Sequence, residues 1–271
     1  MNIPLHALDL LPIWVLFILT LLVFLMVVEA GFRLGNRNST TVKEGQRSQV
    51  SAIMGTTLGL LTFLLAFTFG KAETRFSAKK LMVVESANAI GTAYLRTDLL
   101  VEPYATQAKV LLHEYIELHV QAPQHMRNGD YVKLEQALAR SGTIEDLLWQ
   151  QAVVVARQNP SVFTVELYIQ ALNSVFDIKV VRVWVALLNR IAPTIWGTLY
   201  FIALISMGAL GYYSGLNGRR SPAVTIALVL TFSAVMLLII DLDRPKVSLF
   251  KVNQQVMLDL LNKINTTKQQ Q

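Results

Sequence analysis

Two groups of residues in this 271-residue chain have the types and spacing to do chemistry. Glu85, Asn88, Thr92 and Arg96 recur at helical spacing and would form one polar stripe. At the α-helical rise the carboxylate and the guanidinium lie roughly 16 Å apart, too far to pair with each other. Each therefore needs water, a second helix or a neighbouring subunit, and a network of that kind beside an ion path is the functional reading. The second group, Asp241, Asp243 and Arg244, follows an apolar run and precedes Pro245, which stops a helix. Those charges either anchor the helix at a bilayer edge or form a selective ring in an assembly of subunits. Arg75 belongs with them as a cation at the edge of another apolar run. Within that run, Thr56, Thr57, Thr62 and Thr68 offer hydroxyls that could meet a dehydrated ion, and Phe63, Phe67 and Phe69 could form an apolar constriction. Gly55 and Gly59, four residues apart with Ser51 before them, let helix backbones approach closely. Gly208, Gly211 and Gly215 repeat that theme later in the chain.

Other chemistries find no support. There is no cysteine, which removes disulfides, thiolate metal sites and thiol nucleophiles. His113 and Glu117 share a helix face and would supply two metal ligands, but His119 is turned away and His125 lies further downstream, so no metal site is assigned. Phosphate-binding and nucleophile-elbow motifs are absent, and Glu145-Asp146 reads as a solvated helix end. The sequence points to neither an enzyme nor a cofactor. The net charge of +6 forms no run or stripe, so nucleic acid is not expected as a partner.

The elements that must position these residues are dominated by the membrane. Charged residues make up only 15% of the chain, and the deficit is concentrated in four apolar windows: Leu10–Val28, Val50–Phe69, Pro193–Tyr213 and Pro222–Ile240. Each has about the 20 residues needed to cross a hydrocarbon core, none carries an ionisable side chain, and helix satisfies every backbone group within its own segment. The first run lacks a basic residue before it and is too long for a signal-peptide core, so it reads as a retained span. The short basic segments (Arg33, Arg37, Lys43, Arg47 and Arg219, Arg220) are nearly balanced by basic residues at the opposite span ends. Orientation stays open.

Between the spans, residues 71–100 contain no proline and one glycine, which predicts that the second helix continues out of the bilayer without a break. Pro103 opens a further helix, and 122–130, with Pro123, Asn128 and Gly129, predicts a turn. A helix over 131–158, with a break at Ser141-Gly142, and a fourth from Ser161 to Ile191 complete the segment. The expected organisation is a first transmembrane pair (1–70), a helical extramembrane domain (71–192), a second pair (193–241) and a polar C-terminal tail (242–271). The fold class is an all-α integral membrane protein, with helices two and three extending out of the bilayer.

Several of these segments resemble a known family. Gly59–Leu61 through Phe67–Phe69, Arg75-Phe76, the block Val84–Arg96, and Asp241–Pro245 are similar to the bacterial bestrophin-like domain family, over about residues 10–250. Lys79-Lys80 stands where that family's pattern has an arginine pair, and Lys246-Val247-Ser248 where it has a glycine. The resemblance implies likeness to bestrophins, pentameric anion channels with four-helix subunits and a helical region between spans two and three. In bestrophins that region is cytosolic, whereas the short basic loops, counted alone, would place themselves in the cytoplasm and the middle domain and both termini outside. The expectation is an oligomeric, channel-like protein of a bacterial inner membrane, a homo-oligomer in the lipid bilayer that passes small ions. The alternative is a non-conducting envelope protein whose helical domain binds a partner.

Overall fold

The computed structural model describes residues 11–158, 163–185, 190–218, 221–244 and 253–269. Among them every regular element is helical, and four helices are long and apolar enough to cross a membrane. The helices are α1 (Ile13–Asn38), α2 (Glu44–Arg96), α3 (Tyr104–Asn128), α4 (Tyr131–Gln158), α5 (Phe163–Val183), α6 (Pro193–Leu216), α7 (Pro222–Asp243) and α8 (Gln255–Gln269). Leu10, Ser161, Arg219, Arg220, Pro245 and 246–248 lie outside the described residues. The chain divides into two compact units. One comprises Leu5–Arg75 and Arg190–Arg244; the other comprises Met1–Pro4, Phe76–Asn189 and Pro245–Gln271.

In the first unit α1 and α6 run parallel and cross at glycines. A methyl group on Gly31 would overlap the Gly208 carbonyl, one on Gly35 the Tyr212 carbonyl, one on Gly211 the Val28 carbonyl, and one on Gly215 the Phe32 carbonyl. Both pairs, Gly31/Gly35 and Gly211/Gly215, have four-residue spacing, which aligns them along one face of each helix. Lipid provides no hydrophobic push between spans, so association must come from this close backbone packing and from polar pairs. Thr20 Oγ1 meets Tyr200 Oη at 3.1 Å, and Asn38 Nδ2 donates to Tyr212 Oη at 3.3 Å, on either side of the crossing. α1 continues ten residues past Val28, where its apolar run stops, so Gly31 and Gly35 belong to the helix and not to a loop. The expected packing role is thus met by Gly211 and Gly215, whereas Gly55 and Gly59 have nothing within 4 Å.

The second unit holds a helical core. α3 turns Ala108, Leu112, Tyr115 and Ile116 inward, α4 contributes Ile144, Leu148 and Ala152, and α5 adds Tyr168 and Leu172, all nearly inaccessible to solvent. Each buried Leu or Ile contributes about 1.5–3 kcal/mol of transfer free energy. The turn predicted over 122–130 shrinks to its end. Pro123 sits inside α3, which runs to Asn128, and Gly129 in the left-handed region (φ 73°) closes it with Asp130 N–H donating to the His125 carbonyl at 3.0 Å. The break expected at Ser141-Gly142 is also absent. Ser141 is buried, its hydroxyl donates to the Leu138 carbonyl at 2.9 Å, and the apolar face of α4 continues across it. α5 covers Phe163–Val183; of the run expected to continue to Ile191, residues 186–189 lie outside the described residues. Residues 242–271, expected to be a polar tail, contain α8, whose Met257 and Ile264 are buried in the core cluster.

Candidate functional site

The second apolar span lies within α2, and the side chains on its outer face are exposed among the described residues. Gly55, Thr56, Gly59, Thr62, Phe63 and Phe67 are exposed, the two phenylalanines at 66% and 59%. Leu61, Leu65 and Thr68 occupy the opposite, buried face, with Thr57 between the two. Each hydroxyl is held by its own helix. Thr56 donates to the Ala52 carbonyl at 2.9 Å, Thr57 to Met54 at 3.0 Å, Thr62 to Leu58 at 2.9 Å and Thr68 to Leu64 at 2.7 Å. A threonine bonded in this way costs the span no unsatisfied donor and leaves oxygen lone pairs facing outward. The hydroxyl ladder read from sequence is therefore split, with Thr56 and Thr62 outward and Thr68 inward.

The expected polar network resolves into two separate groups. The first is built on Asp243, buried at the C-terminal end of α7. Its Oδ1 accepts from Arg75 Nη1 at 2.5 Å and from the Ile191 backbone N–H at 3.0 Å, while Arg190 Nη2 lies 3.6 Å from Oδ2. Arg244 is 5% exposed and donates from Nη2 to the Leu11 carbonyl at 2.9 Å; Asp241 is fully buried. Arg244 takes an extended conformation (ψ 141°), as a residue preceding proline must, and this ends the helix with the cluster in place. The Asp243 carboxylate thus faces guanidinium groups and backbone of its own chain. Two cations on one buried carboxylate balance the desolvation cost only while all three are present.

The second group is the stripe on α2. Glu85, Asn88, Thr92 and Arg96, with Gln170, Ser174 and Ile178 of α5, line an open cleft of about 420 Å³. Arg96 finds the partner that spacing demanded: its Nη1 donates to the Leu167 carbonyl at 2.5 Å. Thr92 bonds back to the Asn88 carbonyl at 2.9 Å. Among the described residues the Glu85 carboxylate has no hydrogen bond or ion pair.

A third polar centre is not evident from the sequence. Tyr115 Oη donates to Glu145 Oε1 at 2.7 Å, and Lys179 Nζ pairs with the same carboxylate at 2.8 Å. His119 Nδ1 is 2.9 Å from the Tyr115 carbonyl, and Arg182 Nη1 is 3.4 Å from Ser86 Oγ. Burial, reinforced by the nearby Arg182 and Lys179 cations, pushes the His119 imidazole down to about 3, so the ring is neutral at physiological pH. Burial raises the Tyr115 hydroxyl and lowers Arg182. Glu145 is consequently an interior ion-pair partner and not a solvated helix end. The four-residue spacing of Tyr115 and His119 was the available signal. His113 sits against α8, its Nε2 2.6 Å from Asn265 Oδ1, with Nδ1 3.8 Å from Glu117.

One family model matches most of the chain. The model of the bestrophin-like domain covers residues 14–257, from the start of α1 into α8. The chain belongs to the bestrophin-like domain family. The match takes in the glycine crossing, the exposed face of α2, the Asp243 cluster and the Glu85–Arg96 stripe. Nothing among curated proteins or solved structures matches the chain. Family membership and the four apolar helices identify a multi-pass membrane protein.

Proposed function

We propose that this family member is an oligomeric channel of a bacterial inner membrane, passing small ions along a path lined by the second span. In that reading the spans form two pairs around a helical domain outside the bilayer. The carrying observation is the outer face of α2, where Gly55, Thr56, Gly59, Thr62, Phe63 and Phe67 are exposed together. A face meant only for lipid has no use for two glycines and two threonines, each of which forfeits apolar contact area. Around a central axis the same face supplies what a conduction path requires: small residues for close helix approach, hydroxyl oxygens, and phenylalanines for a dewetting constriction. The family name adds support by analogy with bestrophins.

Native mass spectrometry of the detergent-solubilised protein tests this reading. A closed ring appears as an integer multiple of the 30.3 kDa chain. A single-chain particle leaves the outer face of α2 facing lipid and overturns the reading. In that event the alternative, a non-conducting envelope protein whose helical domain binds a partner, takes over. The exposed Phe163, Val180 and Trp184 on and just after α5 are then the surface to examine.

A further inference from the structure

Beyond the apolar span, α2 carries an exposed stripe whose period is that of a helix-to-helix seam. Leu81, Asn88 and Leu95 follow one another at intervals of seven residues, with Val84 at the intervening position. Leu81, Val84 and Leu95 are 53%, 38% and 63% exposed, and Asn88 is exposed with them. The opposite face of the same segment, Phe76, Val83, Ile90 and Thr97, has the same seven-residue interval and is buried in its own unit. One helix thus presents two heptad faces, one buried in its own unit and one largely exposed. Hydrophobic residues recurring every 3.5 positions are the pattern that packs helices side by side over several turns. Gly91, at the next seam position, is covered by Leu260 of α8, so the free face consists of Leu81, Val84, Asn88 and Leu95.

The flanking charges say what this face fits. With Leu81, Asn88 and Leu95 as the first seam positions of each heptad, Lys80 falls at the position before the seam and Glu85 at the one just after Val84. In parallel assemblies these two positions, five residues apart, meet between neighbouring helices. Lys80 and Glu85 are opposite in sign and five residues apart. Lys80 Nζ lies over the Phe76 ring at 4.6 Å, and neither side chain has an ion-pair partner among the described residues. Copies of one membrane protein insert in one orientation, so α2 of one copy meets α2 of the next in parallel. A lipid surface would satisfy Leu81 and Leu95 but not the Asn88 amide between them. In a seam between identical helices that amide bonds to its own counterpart, and a single such asparagine sets the register.

We propose that residues 80–95 of α2 dock in parallel onto the same segment of a second copy, with Leu81, Val84, Asn88 and Leu95 in the seam and Lys80 paired to the neighbour's Glu85. This rests on the reading above that copies assemble, and it assigns the surface outside the span through which they do so. Because the chain has no cysteine, single-cysteine variants of the full-length protein report proximity cleanly. Leu81→Cys and Asn88→Cys should form disulfide-linked dimers in native membranes under mild oxidation. Val110→Cys, exposed on α3 and not a seam position, should not. In parallel, Lys80→Glu and Glu85→Lys should each weaken assembly by about two- to five-fold in dissociation constant, and the double swap should restore it. An oligomer by native mass that shows no cross-link at positions 81 and 88, or equal cross-linking at 110, overturns the seam and leaves the channel reading standing. Failure of the double swap to recover assembly overturns the parallel register. A monomer overturns both.

Discussion

Arg75 Nη1 donates to Asp243 Oδ1 across 2.5 Å, joining α2 to the end of α7 through a carboxylate that is only 3% exposed. Arg190 Nη2 stands 3.6 Å from the second oxygen of the same carboxylate. Replacing Asp243 by Asn removes a charge that faces two buried guanidinium groups. The expected cost is about 3–5 kcal/mol, as for breaking any buried ion pair from one side. Thermal unfolding in detergent should show a large drop for Asp243→Asn. A change under about 1 kcal/mol would mean that the cluster is hydrated and not buried.

The glycines of α1 and α6 and those of α2 should respond oppositely to enlargement. Gly211→Leu places a side chain where the Val28 carbonyl already sits, and a loss of about 3 kcal/mol or more is expected. At Gly59 an added Cβ meets no atom within 4 Å, so Gly59→Leu should leave the chain's own fold intact while disturbing assembly or conduction. Melting temperature together with native mass separates the two effects. Equal destabilisation by both substitutions would contradict the packing described here.

Acidification should weaken the fold through His119. Its folded-state value, about 3, lies below the ordinary 6.5, so the unfolded chain takes up a proton at a pH where the native one does not. The stability held by neutral His119 is complete above about pH 6.5 and falls as the pH drops toward 3. At pH 5 the loss is about 2 kcal/mol. A pH series of denaturation midpoints should show this decline, and His119→Gln should flatten it between pH 7 and 5.

Not all of this organisation is visible along the chain. The four spans are, because a hydrocarbon core demands about 20 apolar residues in a row and few other environments do. The unbroken α2 is as well, since residues 71–100 carry no proline to interrupt it. Partnerships between helices are not. Gly31 and Gly35 fall just beyond the first apolar run, beside Glu29 and Arg33, and only the continued helix brings them against Gly211 and Gly215. Pro123 misleads because α3 carries it within its body and ends only at Asn128, where Gly129 supplies the cap. α8 hides in a polar composition, although Met257, Leu260 and Ile264 keep helical spacing and mark its inward face. Of the candidate residues, Arg75 and Asp243 are brought together, Arg96 finds the Leu167 carbonyl, and Glu85 is left facing the cleft. The Tyr115–Glu145–Lys179 centre joins three helices distant in sequence, a juxtaposition that no local pattern encodes.

The central claim is that ions pass along the exposed face of α2, and ion flux from proteoliposomes tests it most directly. The wild-type protein should discharge an imposed salt gradient faster than protein-free vesicles. Phe67→Ala, which opens the apolar constriction, should change that rate by about tenfold, the equivalent of roughly 1.4 kcal/mol in the barrier. Thr62→Ala, on the exposed face, should shift it measurably. Discharge indistinguishable from empty vesicles, and unaltered by either substitution in well-folded oligomeric protein, would contradict the account.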